Sequence, residues 1–158
     1  MDPLFNKLIP QFKPATHIIH PTGKTFITGL ACNYDEHSYD PAFFATTGLD
    51  ELQYRQLLDI INTTLITYWP CTMCQIIGYC LCPCTLGLSF VVPGMAIAEA
   101  RTKVGEDIDR INKEVLQGKG LFMVLQVYCS TSWLEIVKMK RTKKGREDVE
   151  MEPLARNF

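Results

Sequence analysis

The chain has 158 residues, of which 47% are hydrophobic and 21% are charged, which fits one compact domain and excludes a disordered or fibrous protein. Its 16 Lys and Arg against 17 Asp and Glu give a net charge of -1, without the basic surplus that is typical of nucleic-acid binders. The cysteines number seven, which is odd, and no basic segment followed by an apolar run opens the sequence. We therefore expect a reducing, cytosolic setting rather than a secreted disulfide framework.

The N-terminal quarter predicts little regular structure. Residues 1–16 contain three prolines and predict an irregular arm. Residues 17–29 offer two short strands around Pro21–Gly23, which are expected to join a small antiparallel sheet with strands from the other end of the chain. Residues 33–44 predict a polar loop.

Two amphipathic helices are predicted by apolar positions at helical spacing. The first covers residues 49–67, with Thr47 and Asp50 as an approximate capping box, and its apolar positions are Leu49, Leu52, Leu57, Ile60, Ile61 and Leu65. The second covers residues 99–117 and stops at Gly118–Gly120, and its stripe consists of Val104, Ile108, Ile111 and Val115. Each helix needs the other, or a sheet, to cover its stripe.

A β-hairpin is predicted after the second helix. Residues 121–128 are apolar and rich in strand formers, and residues 133–139 alternate Trp133, Glu135 and Val137 against Leu134, Ile136 and Lys138. The predicted class is α+β. In it, two amphipathic helices flank a Cys-rich hydrophobic membrane-associated segment and pack with a small antiparallel sheet, all within residues 17–139.

The distribution of charge points to the membrane-associated segment. Residues 60–98 are 39 positions without Asp, Glu, Lys, Arg or His, and their centre, residues 70–98, holds five of the seven cysteines. Pro70, Pro83 and Pro93 divide this centre, whereas a membrane-spanning helix needs about 20 consecutive apolar residues. A buried core segment and a kinked span remain open, but the pattern favours an interfacial or re-entrant segment.

The five cysteines of this segment admit four chemistries. A zinc site needs four thiolates, yet only one C-x2-C pair occurs; a redox dithiol at 71–74 lacks a preceding strand. Burial as small apolar side chains explains one cysteine better than five in fourteen positions. S-acylation suits thiols that lie at a membrane surface. We assign it first to Cys80, Cys82 and Cys84 and next to Cys71 and Cys74, and we expect Cys32 and Cys129 to be structural.

The chain ends in residues 140–158, which predict a charged disordered tail. Basic residues around its start would instead favour anionic lipid of the cytoplasmic leaflet, and we take this membrane-surface patch to be Lys138, Lys140, Arg141, Lys143, Lys144 and Arg146. No catalytic constellation, phosphate loop or cofactor motif is found, so we expect no enzyme, metal or cofactor. His17, His20 and His37 are predicted to be surface or turn residues.

The order of these features resembles the golgin subfamily A member 7 family, which includes the cysteine-rich hydrophobic (CHIC) domain proteins and the yeast accessory subunit of the Ras palmitoyltransferase. The resemblance covers residues 23–138 and is most specific at residues 80–89, CLCPCTLGLS. It also includes GKTFI at 23–27, DIIN at 59–62, IN at 111–112 and WLEI at 133–136. Pro83 departs from the denser cysteine run of the CHIC proteins.

The resemblance implies a non-catalytic accessory subunit of a DHHC-type protein S-palmitoyltransferase complex, which supports palmitoylation and membrane targeting of proteins such as Ras. It also implies a peripheral protein on the cytoplasmic face of Golgi, ER or related membranes, anchored through its own S-palmitoylated cysteines. Its partners would be a DHHC acyltransferase and membrane lipid. The alternatives are a palmitoylated trafficking adaptor of the CHIC type without an acyltransferase partner and, more remotely, a soluble zinc or dithiol protein.

Overall fold

The computed structural model describes residues 15–26, 28–70, 76, 80, 91–128 and 130–139. In chain order, the named elements are β1 (Thr16–Ile19), α1 (Pro41–Phe44), α2 (Glu51–Tyr68), α3 (Val91–Ile111), a π-helical turn (Asn112–Leu116), a 3₁₀ turn (Gln117–Lys119), β2 (Leu121–Tyr128) and β3 (Thr131–Lys138). Helices and an antiparallel sheet both contribute, so the predicted α+β class is confirmed. The predicted arm, apart from its last two residues, and the predicted tail lie outside the described residues.

Three strands of the described chain form an antiparallel sheet in the order β1-β3-β2. β2 and β3 are the predicted hairpin, and β1 pairs with the other edge of β3, so the two ends of the chain meet in one sheet as predicted. The second predicted N-terminal strand is wrong. Pro21 pairs with Tyr34 and Thr25 with Ala31 as isolated bridges, and Gly29 (φ 89°) reverses the chain between Thr25 and Ala31, so this segment pairs with itself and does not add a strand to the sheet.

Helix α2 begins where the sequence predicts and buries a somewhat different face. Asp50 is its N-cap and accepts the Gln53 N–H at 2.7 Å, but Thr47 instead donates to the Phe44 carbonyl. Leu52 and Ile60, predicted as part of the buried stripe, are exposed, because the stripe is centred on other positions of the helix. The buried residues are Tyr54, Leu57, Leu58, Ile61, Asn62 and Leu65.

Helix α3 starts at Val91, eight residues before the predicted start and inside the uncharged run. Pro93 was expected to interrupt helical structure, but it lies in the first turn, where its missing N–H costs no helical hydrogen bond. The predicted stripe is confirmed, with Val104, Ile108 and Ile111 buried and Val115 half-buried. Gly120, at φ 69°, ends the helical turns that follow α3, as predicted for Gly118–Gly120.

Two buried asparagines join the helices to the rest of the fold. Asn62 of α2 accepts the Tyr34 N–H through Oδ1 at 2.9 Å and donates to the Tyr34 carbonyl through Nδ2 at 3.0 Å. Asn112, just after α3, accepts the Met123 N–H at 2.7 Å and donates to the Met123 carbonyl at 2.9 Å. Each amide side chain thereby satisfies both backbone groups of one residue, as a neighbouring strand would. We call these pairs the asparagine clamps.

An aromatic cluster fills the space between β1, α1 and α2. The His17 ring lies 5.1 Å from the Phe44 ring and accepts or donates a hydrogen bond with the Tyr54 hydroxyl at 3.3 Å. His17 is therefore half-buried, which corrects its assignment to the surface, while His37 is exposed in a turn as predicted. The predicted polar loop at 33–44 is also corrected, because Tyr34 and Phe44 are buried in it and α1 ends it.

Strand β3 is buried on both of its faces at its centre. Leu134 and Ile136 belong to the hydrophobic core, whereas Trp133 and Glu135 alternate with them and point to the other face. The Trp133 indole donates to a Glu135 carboxylate oxygen at 2.8 Å. The predicted alternation is confirmed.

Removing the second asparagine clamp should destabilise the fold strongly. Asn112→Ala leaves the Met123 N–H and carbonyl without their partner in a buried site, so we expect the free energy of unfolding to fall by roughly 2–4 kcal/mol. Urea denaturation measures this change. Gln117→Ala, at an exposed position one turn later, is the matched control and should stay within about 0.5 kcal/mol of the wild type. Equal effects of the two substitutions would contradict the role of the clamp.

The half-buried His17 should make the fold sensitive to mild acid. Burial lowers the pKa of His17, with nearby Asp40 opposing and His20 adding slightly to this shift. As pH falls below about 6.5, the unfolded chain gains a proton that the folded chain takes up only at lower pH, so stability present above that pH is lost below it. Urea denaturation at several pH values checks this, and His17→Gln should flatten the profile. His37→Gln should leave it unchanged, and a wild-type profile in the His17 variant would disprove the assignment.

Candidate functional site

The uncharged run connects the C-terminal end of α2 to the N-terminal end of α3, and within it the structure describes Ile76 and Cys80 between residues 70 and 91. Both residues are helical and exposed, and the Cys80 thiol is free. Cys80 is therefore an accessible thiol within an apolar sequence, and its S-acylation stays a prediction. The other predicted acylation positions, Cys71, Cys74, Cys82 and Cys84, lie outside the described residues.

The two helices that flank this run are antiparallel, and α3 extends beyond the C-terminal end of α2. The Thr64 hydroxyl of α2 donates to the Asp107 carboxylate of α3 at 2.6 Å, and the Lys119 ammonium donates to the Gly48 carbonyl at the opposite end of the pair. The end of α2 is then level with Lys103 of α3. At 1.5 Å per residue, the first twelve residues of α3 extend about 18 Å beyond α2.

The electrostatics of Lys103 agree with this alignment of the helices. The hydrogen bond to Glu106, at 2.9 Å, is the main cause that raises the pKa of Lys103, and the nearby Tyr68 contributes less. Tyr68 is the last residue of α2. The Thr64–Asp107 hydrogen bond, one turn before Tyr68 on α2 and one turn after Lys103 on α3, gives the same alignment.

The part of α3 that extends beyond α2 has one buried and one exposed face. Ile97 and Ala100 are buried and continue the core stripe towards the end of the helix. On the other side, Val91 and Met95 are 53% and 68% exposed. Ala98 and Thr102 continue this exposed line at a spacing that keeps all four residues on one face. We call these four residues the outer stripe of α3.

Exposed residues at the C-terminal end of α2 are also uncharged. Ile66 is 64% exposed, and its neighbours Thr63 and Thr67 are uncharged. The Thr67 hydroxyl donates to the Thr63 carbonyl at 2.7 Å, and the Thr102 hydroxyl of the outer stripe donates to the Ala98 carbonyl at 3.0 Å. Both threonines therefore satisfy their hydroxyl protons on their own helix and present their methyl groups without demanding an external acceptor.

The remaining predicted site residues lie far from Cys80, at the other end of the fold, or outside the described chain. Lys138, the first residue of the predicted basic patch, is the last residue of β3; its ammonium lies 4.3 Å from the centre of the Phe43 ring and hydrogen-bonds Thr46. The other five basic residues lie outside the described chain, as does Cys129. Cys32 is half-buried, and its sulfur accepts the Lys24 N–H at 3.1 Å, consistent with a structural role.

Two searches concern only the residues that the structure describes. No helix among them has the length and apolarity to cross a bilayer. No group of three or more His, Cys, Asp and Glu side chains in the described ranges is arranged to hold a metal ion.

The sequence prediction missed the outer stripe because it started the second helix at Glu99. Val91, Met95, Ala98 and Thr102 follow the spacing i, i+4, i+7 and i+11, which is the signal that would have found the stripe. Pro93 concealed it, since a proline was taken to end regular structure rather than to begin it.

Comparisons of the sequence with protein-family models, with curated proteins and with solved structures find no match.

The two described thiols should differ in accessibility. In acyl-free protein produced in bacteria, Cys80 should react with N-ethylmaleimide faster than Cys32, because Cys80 is exposed whereas Cys32 is half-buried and receives a backbone N–H. Peptide mass spectrometry after short labelling times measures the two rates. Addition of urea is the control and should make the rates converge. Faster labelling of Cys32 in the folded protein would contradict the described placement.

Proposed function

We propose that this chain is a non-catalytic accessory subunit of a DHHC-type protein S-palmitoyltransferase complex, attached to the cytoplasmic face of Golgi, ER or related membranes through its own S-acylated cysteines. The observation that carries the proposal is the exposed, free thiol of Cys80 within an uncharged run of 39 residues. The partner enzyme itself is suggested by the resemblance of residues 23–138 to the golgin subfamily A member 7 family.

The clustering of cysteines supports stable rather than transient attachment. One acyl chain gives marginal, reversible membrane binding, whereas two chains, or one chain with a basic patch, give stable binding. Cys82 and Cys84 lie within four residues of Cys80, so several chains would enter the same region of a bilayer. The predicted basic residues 140–146 follow β3, at the end of the fold opposite to Cys80, so their attraction to anionic lipid would act separately from the acyl chains.

The described polar side chains support a structural rather than a reactive role for the folded part. Tyr34 donates to or accepts from the Ser132 hydroxyl at 2.8 Å, and Ser132 accepts the Ala31 N–H at 2.9 Å. Burial raises the pKa of Tyr34 well above its usual value, which keeps this hydroxyl neutral. In the proposed complex, the DHHC enzyme supplies the acyl-transfer chemistry, and this chain supplies membrane attachment and a folded surface.

Acylation is tested directly by hydroxylamine-dependent acyl exchange on protein from eukaryotic cells. We expect exchange on the wild type, and we expect Cys80→Ser with Cys82→Ser and Cys84→Ser to lose most of the signal and to shift from the membrane to the soluble fraction. Cys32→Ser is the matched control and should retain both properties. Wild-type protein without exchangeable acyl groups would overturn the lipid-anchored part of the proposal.

The acyltransferase partnership is tested by affinity purification of tagged protein from the same cells in mild detergent. We expect a DHHC protein among the co-purifying proteins, identified by mass spectrometry. Acylated protein that repeatedly purifies without any DHHC protein would disprove the accessory role and favour the trafficking adaptor. Stoichiometric zinc in soluble, unmodified protein would favour the zinc-protein alternative.

A further inference from the structure

We propose that the outer stripe of α3 binds the lipid bilayer directly, so that this protein contacts membranes before and without acylation. The inference rests on the membrane attachment in the proposed function, but it requires neither acyl chains nor an acyltransferase. The contacting residues are Val91, Met95 and Ala98, the uncharged part of the outer stripe.

The reach of α3 places the stripe at an extremity of the described fold. The first twelve residues of α3 extend about 18 Å beyond α2, as the Thr64–Asp107 hydrogen bond implies. Their inner face is held by buried Ile97 and Ala100, so the exposed face does not need to turn inwards to complete the core. A surface of this kind can enter an interface without unfolding the domain.

The outer stripe differs from a single exposed apolar residue because its large apolar side chains are neighbours. Val91 and Met95 lie one helical turn apart on one face, and large exposed apolar groups that cluster mark an interaction surface. Leu52 is equally exposed, at 66%, but it lies near the opposite end of α2 among Glu51 and Arg55. The two sites therefore match in exposure and differ in their surroundings.

Charge and hydrogen bonding favour lipid rather than a protein as the occupant. Protein interfaces carry about one hydrogen bond per 100–200 Å² and a polar rim. Val91, Met95 and Ala98 belong to residues 60–98, which contain no charged side chain. Thr102, next to Arg101, donates its hydroxyl proton to its own helix, as does Thr67 on α2. Within a bilayer, polar groups must be satisfied inside the protein, which is the arrangement observed.

Charges within and after the last part of the stripe set the depth of the contact. Glu99 and Arg101 are exposed between Ala98 and Thr102, and Glu106 and Asp109 continue the side of the helix that carries the stripe towards the sheet. Long basic side chains extend to the headgroups while their stems stay in apolar surroundings. Val91 and Met95 would therefore lie at the boundary between headgroups and acyl chains, with Arg101 at headgroup level.

This position gives the contact a role in acylation. In the sequence, residues 80–84 lie only seven to eleven positions before Val91, so a bound stripe would keep these thiols within a short length of chain of the membrane surface, where a membrane-embedded acyltransferase acts. The direct contact is weak and reversible, and acyl chains added afterwards would make it stable. Contact would precede modification.

The test uses full-length protein from bacteria, in which Cys71, Cys74, Cys80, Cys82 and Cys84 are all replaced by serine, so that neither acyl chains nor a eukaryotic enzyme is present. Flotation with pure phosphatidylcholine vesicles measures binding without a contribution from the basic tail to anionic lipid. We expect this protein to float. Val91→Ser with Met95→Ser should reduce the partition coefficient roughly tenfold or more, since two large apolar groups are lost from the contact.

Leu52→Ser is the matched control and should float like the parent protein. Thermal denaturation checks that both variants stay folded, as expected for exposed helical positions. No flotation of the parent, or equal losses in the two variants, would overturn the inference. Flotation without detectable acyl exchange in cells would leave it standing and overturn the proposed S-acylation instead.

A second measurement reports the contact without relying on loss of binding. In the same background, the fluorescence that Met95→Trp adds to that of Trp69 and Trp133 in the parent should be quenched by vesicles that contain brominated phosphatidylcholine, whereas the fluorescence that Leu52→Trp adds should not. Quenching of both or of neither would overturn the inference. If the serine pair at 91 and 95 floats normally but no longer co-purifies with a DHHC protein, or loses self-association in light scattering, the stripe binds protein and the lipid assignment is wrong.

Discussion

The fold depends on two asparagine side chains that each replace a missing strand. Asn62 pairs with both backbone groups of Tyr34, and Asn112 does the same for Met123. The first clamp ties α2 to the irregular N-terminal segment, and the second ties the end of α3 to the edge strand β2. A helix cannot otherwise offer a donor and an acceptor to a backbone beside it, because its own amides are already paired. These two contacts therefore fix where the helical pair sits on the sheet.

This arrangement explains why several segments of the family resemblance lie in the folded part. DIIN ends in Asn62, IN ends in Asn112, and WLEI contains the hydrogen-bonded Trp133 and Glu135. Such residues specify the fold, whereas the cysteine block at 80–89 would carry the lipid chemistry of the proposed function. Similarity in the folded segments bears on architecture, whereas similarity in the cysteine block bears on function. The two parts of the resemblance can therefore be tested separately.

Local patterns predicted the hairpin, the cap at Asp50, the stripe of α3 and its glycine stop, because each depends on neighbours in sequence. The predictions were wrong where contacts between residues distant in sequence determine which side chains are buried. His17 is half-buried because Phe44 and Tyr54 surround it, and Leu52 is exposed because the helix turns another face to the core. S-acylation of Cys80 stays a prediction, and the outer stripe required knowledge that α3 begins at Val91.

The asparagine clamps and the outer stripe together divide the molecule into two ends with different requirements. At the sheet end, charged and polar groups are paired, as with Lys119 and Gly48. At the other end, α3 extends beyond α2 without charged residues until Glu99, and its threonines satisfy themselves. In the proposed membrane contact, the attachment at the sheet end would let α3 act as a spacer of fixed length. The helix, rather than a flexible linker, would then set the distance between the bilayer and the sheet. A partner on the same membrane would then meet the sheet end at a constant height, which acyl chains on a flexible tail would not provide.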